Sequence, residues 1–294
     1  MLDRSAGSGA SRLLARLLGP LWGYHEGVST GFDGGGVWVL GTRWGGTAIT
    51  AAQAAAYKAA GVQWAAVKVS DGLTGGGAAV IADMQACWDG GLAVIPWCFI
   101  EPTAGDAGPQ MHTCFLASGS GQKIAIADVE AQPVNITGLV SQWTGPNVAV
   151  TTWGNPVPTH DGQPSIGQLA DIGVGAILPQ AYAGAWGCSE DQAIATMQAS
   201  YRAANLSNLP PLLPIGDTTN MVGFAQAAKA AGCNGVSAWR HGANGISPAS
   251  FQGIAAIFPP PPTPDPPAPP PPTTVQLQTG VVYLTPKGDS LTLG

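Results

Sequence analysis

Between about residue 36 and residue 258 the chain alternates, eight times over, between a short apolar run rich in β-branched residues and a run with helical character. The apolar runs fall at 37–40, 63–69, 93–99, 123–129, 147–153, 174–180, 212–215 and 235–239. Each interval leaves room for one crossover helix, which parallel strands require and hairpins do not. "WAAVKV" and "LAVIPW" are nearly continuous apolar stretches, the pattern of parallel strands covered on both faces. Helix punctuation agrees. "TAAQAAAYKAAG" opens on Thr50 as N-cap and stops at Gly61; "SEDQAIATMQASYRAAN" opens on Ser189 with acidic residues in its first turn; "NMVGFAQAAKAAG" opens on Asn220 and stops at Gly232.

Eight β-then-α units predict an α/β fold of the (β/α)8 barrel type, for which about 250 residues is the usual size. An open doubly wound sheet is the rival. It favours a Gly-rich phosphate loop after the first strand, whereas "GSGQK" at 118–122 precedes a strand and reads as a turn. The barrel accounts for residues 36–258. Residues 1–35 form an N-terminal arm in which Leu14, Leu17, Leu18 and Leu21 share a helical face. Arg16 breaks that apolar run and Asp3 precedes it, so it does not read as a signal peptide. No stretch approaches the ~20 apolar residues of a membrane span. Residues 259–274 are a stiff Pro-rich linker, and 275–294 a short β tail with turn signals at Thr279-Gly280 and Lys287-Gly288. Too short for a core, the tail is an assembly or docking segment, pairing as strands with a protein partner or a second copy, or else a frayed end.

Partner and cofactor classes narrow next. Net charge is −6 and no Lys/Arg-rich run exists, which points away from nucleic acid. The five cysteines are odd in number and contain no CxxC, which excludes a complete disulfide framework, leaves zinc unsupported and predicts buried free thiols. The four histidines are scattered, no G-x-S-x-G elbow is present, and no cofactor is implied.

In such a barrel, chemistry gathers at the C-terminal strand ends. Read in order, these ends carry Lys68, Ser70 and Asp71; Trp97, Phe99 and Glu101; Asp128 and Glu130; Thr151 to Trp153; Gln180 and Tyr182; Asp217; and Trp239, Arg240 and His241. Tryptophans such as Trp97, Trp153, Trp186 and Trp239 are flat platforms of the kind sugars stack on, or simply core. Gln180 and Arg240 can bond hydroxyl and acetamido groups. The carboxylates stand out because only 10% of the chain is charged. Residues i and i+2 of a strand share a side, so Asp128 and Glu130 both look into the mouth. A Glu with a raised pKa beside an ionised Asp is a workable acid and electrostatic partner for glycoside cleavage. The alternative is a pair that only bonds loop amides or Lys68 and Arg240.

These stretches also resemble a known family. "AAYKAAGVQWAAVKVSDGLTGG" (55–76), "GGLAVIPWCFIEP" (90–102), "QMHTCFLASG" (110–119), "IAIADVEA" (124–131) with its D-x-E pair, and "ILPQAYAG" (177–184) resemble successive units of the family 25 glycoside hydrolases, the muramidases of phages and bacteria. The resemblance implies cleavage of the peptidoglycan glycan strand, with Glu130 as general acid, Asp128 as its partner, and Gln180 and Tyr182 lining the sugar site. Lys68, Trp97, Trp153, Asp217, Trp239 and Arg240 complete the expected substrate-binding set. The chain also departs from the family. Leu40 or Gly41 stands where the first strand usually carries Asp, and Asp33 lies well upstream. Trp97-Cys98 replaces an aromatic-His pair, and "GVSAWRHG" replaces an acidic eighth strand. The expectation is therefore a glycosidase-like barrel acting on cell-wall glycan with weakened activity. It would belong to a phage virion or tail, or else to a secreted or wall-associated protein. The alternative is a non-catalytic structural or carbohydrate-binding virion protein that uses the barrel as a decoration and the tail as an anchor.

Overall fold

The computed structural model describes residues 32–118, 124–130, 135–141, 148–155, 164–259, 273–277 and 280–284. The N-terminal arm to residue 31, most of the Pro-rich linker and the last ten residues lie outside that set, as do His25, His160 and Asp161. The chain divides after Pro259 into two units.

Eight parallel strands build the first unit: β1 (Gly34–Val39), β2 (Val62–Asp71), β3 (Ala93–Phe99), β4 (Ala125–Asp128), β5 (Val148–Trp153), β6 (Ala176–Gln180), β7 (Ile215–Gly216) and β8 (Gly235–Ala238). Each pairs with the next, and β1 pairs in parallel with both β2 and β8, so the sheet closes. This is the (β/α)8 barrel that the alternation predicts. Around it run α1 (Ala51–Ala59), α2 (Ala78–Asp89), α3 (Ala107–Ser118), α4 (Ile166–Asp171), α5 (Ala183–Trp186), α6 (Glu190–Ala203), α7 (Met221–Ala230) and α8 (Ile254–Ile257). Among the described residues the fourth crossover shows a turn at 137–141 and no helix. The expected caps are in place. Thr50 and Gln53 form a reciprocal capping box, as do Ser189 and Gln192, and the Asn220 side chain accepts from Gly223 N–H.

Two apolar layers result from the alternation of side chains along each strand. The outer layer lies between sheet and helices and includes Val37, Val67, Cys98, Met111, Cys114, Val150 and Phe224. The inner layer fills the lumen, where Trp38, Trp64 and Trp97 pack against small residues such as Ala66, Ala149 and Ala176. Large against small around the ring is how a closed barrel fills without voids. β1 begins three residues earlier than its β-branched run. The reason is Gly36: a Cβ there would collide with the Trp64 indole, so a glycine segment is what lets that ring cross the lumen. The seventh strand is nearly vestigial because Pro210, Pro211 and Pro214 remove ladder donors around it.

β2 runs on to Asp71 and carries a bulge. Lys68 pairs with Trp97, but the next partners are Ser70 with Cys98 and Asp71 with Phe99. The extra residue resets the alternation, so Lys68 and Asp71, three apart, share the lumen side. The second unit contains an antiparallel hairpin, β9 (Thr273–Leu277) and β10 (Gly280–Leu284), with Thr273 opposite Leu284 and Leu277 opposite Gly280.

Candidate active site

Asp128 ends β4, and Glu130 follows two residues later, where Val129 N–H still bonds the Thr151 carbonyl of β5. Both carboxyl groups therefore belong to the C-terminal mouth. Their environments differ. Asp128 is buried, and its Oδ1 has no hydrogen-bond partner. Burial pushes its carboxyl well above the usual carboxylate range and the neighbouring Glu130 pushes the same way, while Lys68 opposes them. Glu130 is half-buried; its Oε2 accepts a 2.6 Å hydrogen bond from Gln180 Nε2, and its carbonyl accepts 3.1 Å from Trp153 Nε1. The sequence reading expects a raised Glu beside an ionised Asp. In the structure Asp128 is itself raised, because its side chain is buried at the end of β4.

Lys68 is the cation that acts on Asp128. Its ammonium donates to Asp71 Oδ2 at 3.1 Å and lies 5.0 to 5.4 Å from the ring centroids of Trp97, Trp44 and Phe99. Three aromatic faces and one carboxylate surround this buried charge. Trp44 also donates from Nε1 to the Lys68 carbonyl. Sequence reasoning passed over Trp44; the only signal was an aromatic in the loop following the first strand.

Trp38, Trp97 and Trp239 meet edge to face, with centroids 5.2 to 5.9 Å apart, and close the lumen below the mouth. Trp97 is 1% exposed, so it is floor and core, with no open face. Its Nε1 and the Thr151 hydroxyl are, like Asp128 Oδ1, buried without a partner. Trp239 and Trp153 are half-buried, and Trp186 is exposed. Arg240 stacks over Trp239 at 5.5 Å, and the peptide between these two residues is cis.

Tyr182 joins the remaining residues. Its hydroxyl is pushed well above the usual tyrosine value, first by burial and then by Asp128, Glu130 and Asp217, with Arg240 opposing. Those five side chains thus share one electrostatic neighbourhood. Asp217 is nevertheless occupied: Oδ1 accepts from Gly184 N–H at 2.8 Å and Oδ2 from Ala185 N–H at 2.9 Å. Asp33 precedes β1 and so lies at the opposite end of the barrel, roughly 20 Å from the mouth along six residues of strand. Leu40 packs against the lumen cluster at the end of β1. No third carboxylate from the first strand enters the site.

His241 belongs elsewhere. It is buried behind β1, with Nε2 3.3 Å from the Ala48 carbonyl and Nδ1 3.3 Å from the Tyr57 hydroxyl. Among the described residues no group of three His, Cys, Asp or Glu could hold a metal ion, and no helix is long and apolar enough to cross a membrane.

No family model matches the chain, and no curated protein does. Among solved structures it resembles a monomeric dihydrodipicolinate synthase variant (14% identity, 79% of this chain and 77% of that chain, TM-score 0.45). It also resembles the apo homocysteine methyltransferase MmuM from Escherichia coli (14%, 70% and 84%, TM-score 0.43). A flavocytochrome b2 variant with sulfite bound gives 12% identity and a TM-score of 0.44; there the match covers 77% of this chain but 62% of the other, under two thirds of its length. These are enzymes of other kinds than the muramidases whose motifs the sequence resembles, and at such identities they bear on neither family nor activity. The barrel stands on its own strand pairing.

Proposed function

We propose that the barrel mouth binds cell-wall glycan and cleaves a glycosidic bond, with Glu130 as the proton donor. The observation that carries this is the pair itself: a buried, raised Asp128 beneath a rim Glu130 that Gln180 holds in place. The proton is assigned to Glu130 by the D-x-E resemblance and by its half-buried place just past the end of β4; Asp128, buried and raised, stands beside it as a neutral hydrogen-bond donor. Glu130 stands where a leaving oxygen can approach from solvent. Asp128 keeps its proton more readily than an ordinary aspartate and can donate a hydrogen bond from a dry site. Trp97 Nε1 and the Thr151 hydroxyl, also unpartnered, add polar groups in the same lumen. Half-buried aromatic rings beside amide and guanidinium donors suit a sugar, which has apolar C–H faces and polar edges. The motif resemblance to muramidases makes peptidoglycan the preferred glycan, in a virion-borne or wall-associated protein whose C-terminal hairpin serves attachment.

The test compares purified protein with Glu130→Gln on peptidoglycan, measuring released reducing ends. Loss of a general acid typically costs 10²- to 10⁴-fold. Equal release from both proteins, or none from either, rejects the glycosidase reading.

A second reading has its own observation. Leu40 occupies the first-strand end, and both Asp217 oxygens are bonded to backbone. A mouth that gains no carboxylate from β1, and whose Asp71 and Asp217 are already paired, could bind glycan without turning it over. Binding of glycan fragments with no reducing-end release from wild type would select this reading.

A further inference from the structure

We propose that Trp186 is a sugar-stacking platform at the rim of the mouth and that Asp217 is the residue that positions it. The inference rests on the glycan reading above and deepens it.

Trp186 ends α5, a four-residue helix that follows β6 after Ala181 and Tyr182. It is 37% exposed. The other exposed large apolar residues among those described are Leu73, Ile81, Trp88 and Leu116. Ile81, Trp88 and Leu116 lie on the outer helices α2 and α3, and Leu73 is aliphatic, so Trp186 is the aromatic ring that the strand-end loops leave open. Its location is tied to the carboxylates by a short chain of contacts. Glu130 is bonded to Gln180; a Cβ on Gly154 would press on the Gln180 backbone and come within 2.8 Å of Trp186 Cη2. The indole edge therefore rests on Gly154, beside the residue that orients Glu130, and the missing side chain is what lets the ring sit so close.

A helix this short does not hold itself in place. Asp217, from the end of β7, accepts from two successive N–H groups in the first turn of α5, and Trp186 N–H closes the turn on the Tyr182 carbonyl at 2.9 Å. Gly187, in the left-handed region, ends the helix just past the indole. The carboxylate that sequence reading grouped with the substrate ligands is thus consumed as a clamp. What it clamps is an exposed indole. A pyranose ring offers an apolar face of C–H bonds to such a surface, and its polar edges would then face Gln180, Tyr182 and Glu130.

The experiment uses the full chain carrying Glu130→Gln, so that ligand survives, and titrates it calorimetrically with soluble peptidoglycan glycan oligomers. Added Trp186→Ala should weaken binding about tenfold, and added Trp186→Phe should recover most of the loss. Asp217→Asn should weaken binding when Trp186 is present and do nothing further when Trp186 is already Ala; a merely structural Asp217 would weaken both backgrounds alike. Thermal unfolding checks that each variant is folded. Oligomer binding that is unchanged by Trp186→Ala overturns the platform and leaves the glycan reading standing. Equal loss from Asp217→Asn in both backgrounds overturns the positioning role. No oligomer binding by the Glu130→Gln protein rejects the glycan reading, and the platform with it.

Discussion

Gln180 Nε2 donates to Glu130 Oε2 across 2.6 Å, linking the end of β6 to the end of β4 over the mouth of the barrel. Gln180 is itself buried, so its amide is fixed by packing and the hydrogen bond fixes Glu130 in turn. On the glycosidase reading Gln180→Ala should lower kcat by about 10- to 100-fold, because misplacing a reacting group by an ångström is worth that much. The loss in kcat should exceed any rise in KM, and thermal unfolding checks that the variant is folded. A kcat equal to wild type in steady-state reducing-end assays would remove Gln180 from the positioning role.

Asp128 works against the fold. In the unfolded chain it ionises as an ordinary aspartate, whereas burial holds its folded pKa well above that value. The folded state therefore binds the extra proton between the two pKa values. The favourable contribution is fully present below the unfolded pKa and is lost as pH rises through the folded one. At neutral pH Asp128→Asn should accordingly stabilise the protein, by about 1–3 kcal/mol. Urea unfolding at pH 7 and at pH 4 checks the sign: the variant's advantage should shrink at the lower pH.

Lys68 should tolerate no neutral replacement. Lys68→Met leaves Asp71 without its 3.1 Å partner and empties the space between Trp44, Trp97 and Phe99 of its charge. Asp71 is partly exposed, so the ion pair alone is screened and a loss of about 1–2 kcal/mol is expected, most of it from the aromatic contacts. Lys68→Arg should recover part of this. Denaturant midpoints for the two variants would decide it.

The split between what sequence could and could not show follows from range. Strand and helix periodicity are local, so the eight parallel strands, the helix caps and the closure they imply were legible. So was the same-side placement of Asp128 and Glu130, which needs only a two-residue period. The Lys68–Asp71 pair was not legible, because it depends on a bulge defined by register against β3. The raised pKa of Asp128 depends on its burial, a property of the closed barrel. The fate of Asp217 depends on two backbone N–H groups 32 and 33 residues away in sequence. The tryptophans show the same limit: composition supplies flat rings, but only packing decides that Trp97 is floor and Trp186 is rim.

His241 should make the fold acid-sensitive. Its Nε2–H donates to the Ala48 carbonyl, which leaves Nδ1 to accept from the Tyr57 hydroxyl; the neutral ring satisfies both contacts. Burial lowers its pKa, with the Ala48 carbonyl and Asp83 opposing. A depressed folded pKa means the unfolded state binds the proton first. The stabilising contribution is thus present above the unfolded value of about 6.5 and is lost as pH falls through the folded value. Asp83, buried and raised, contributes with the opposite sign toward lower pH, so the wild-type curve alone mixes the two. The difference between wild type and His241→Gln isolates the histidine. Measured by urea unfolding from pH 7.5 to 5.5, wild type should lose more stability than the variant over that interval. Parallel curves would show that the ring takes up its proton equally in the folded and unfolded states, which would contradict the buried, doubly bonded ring.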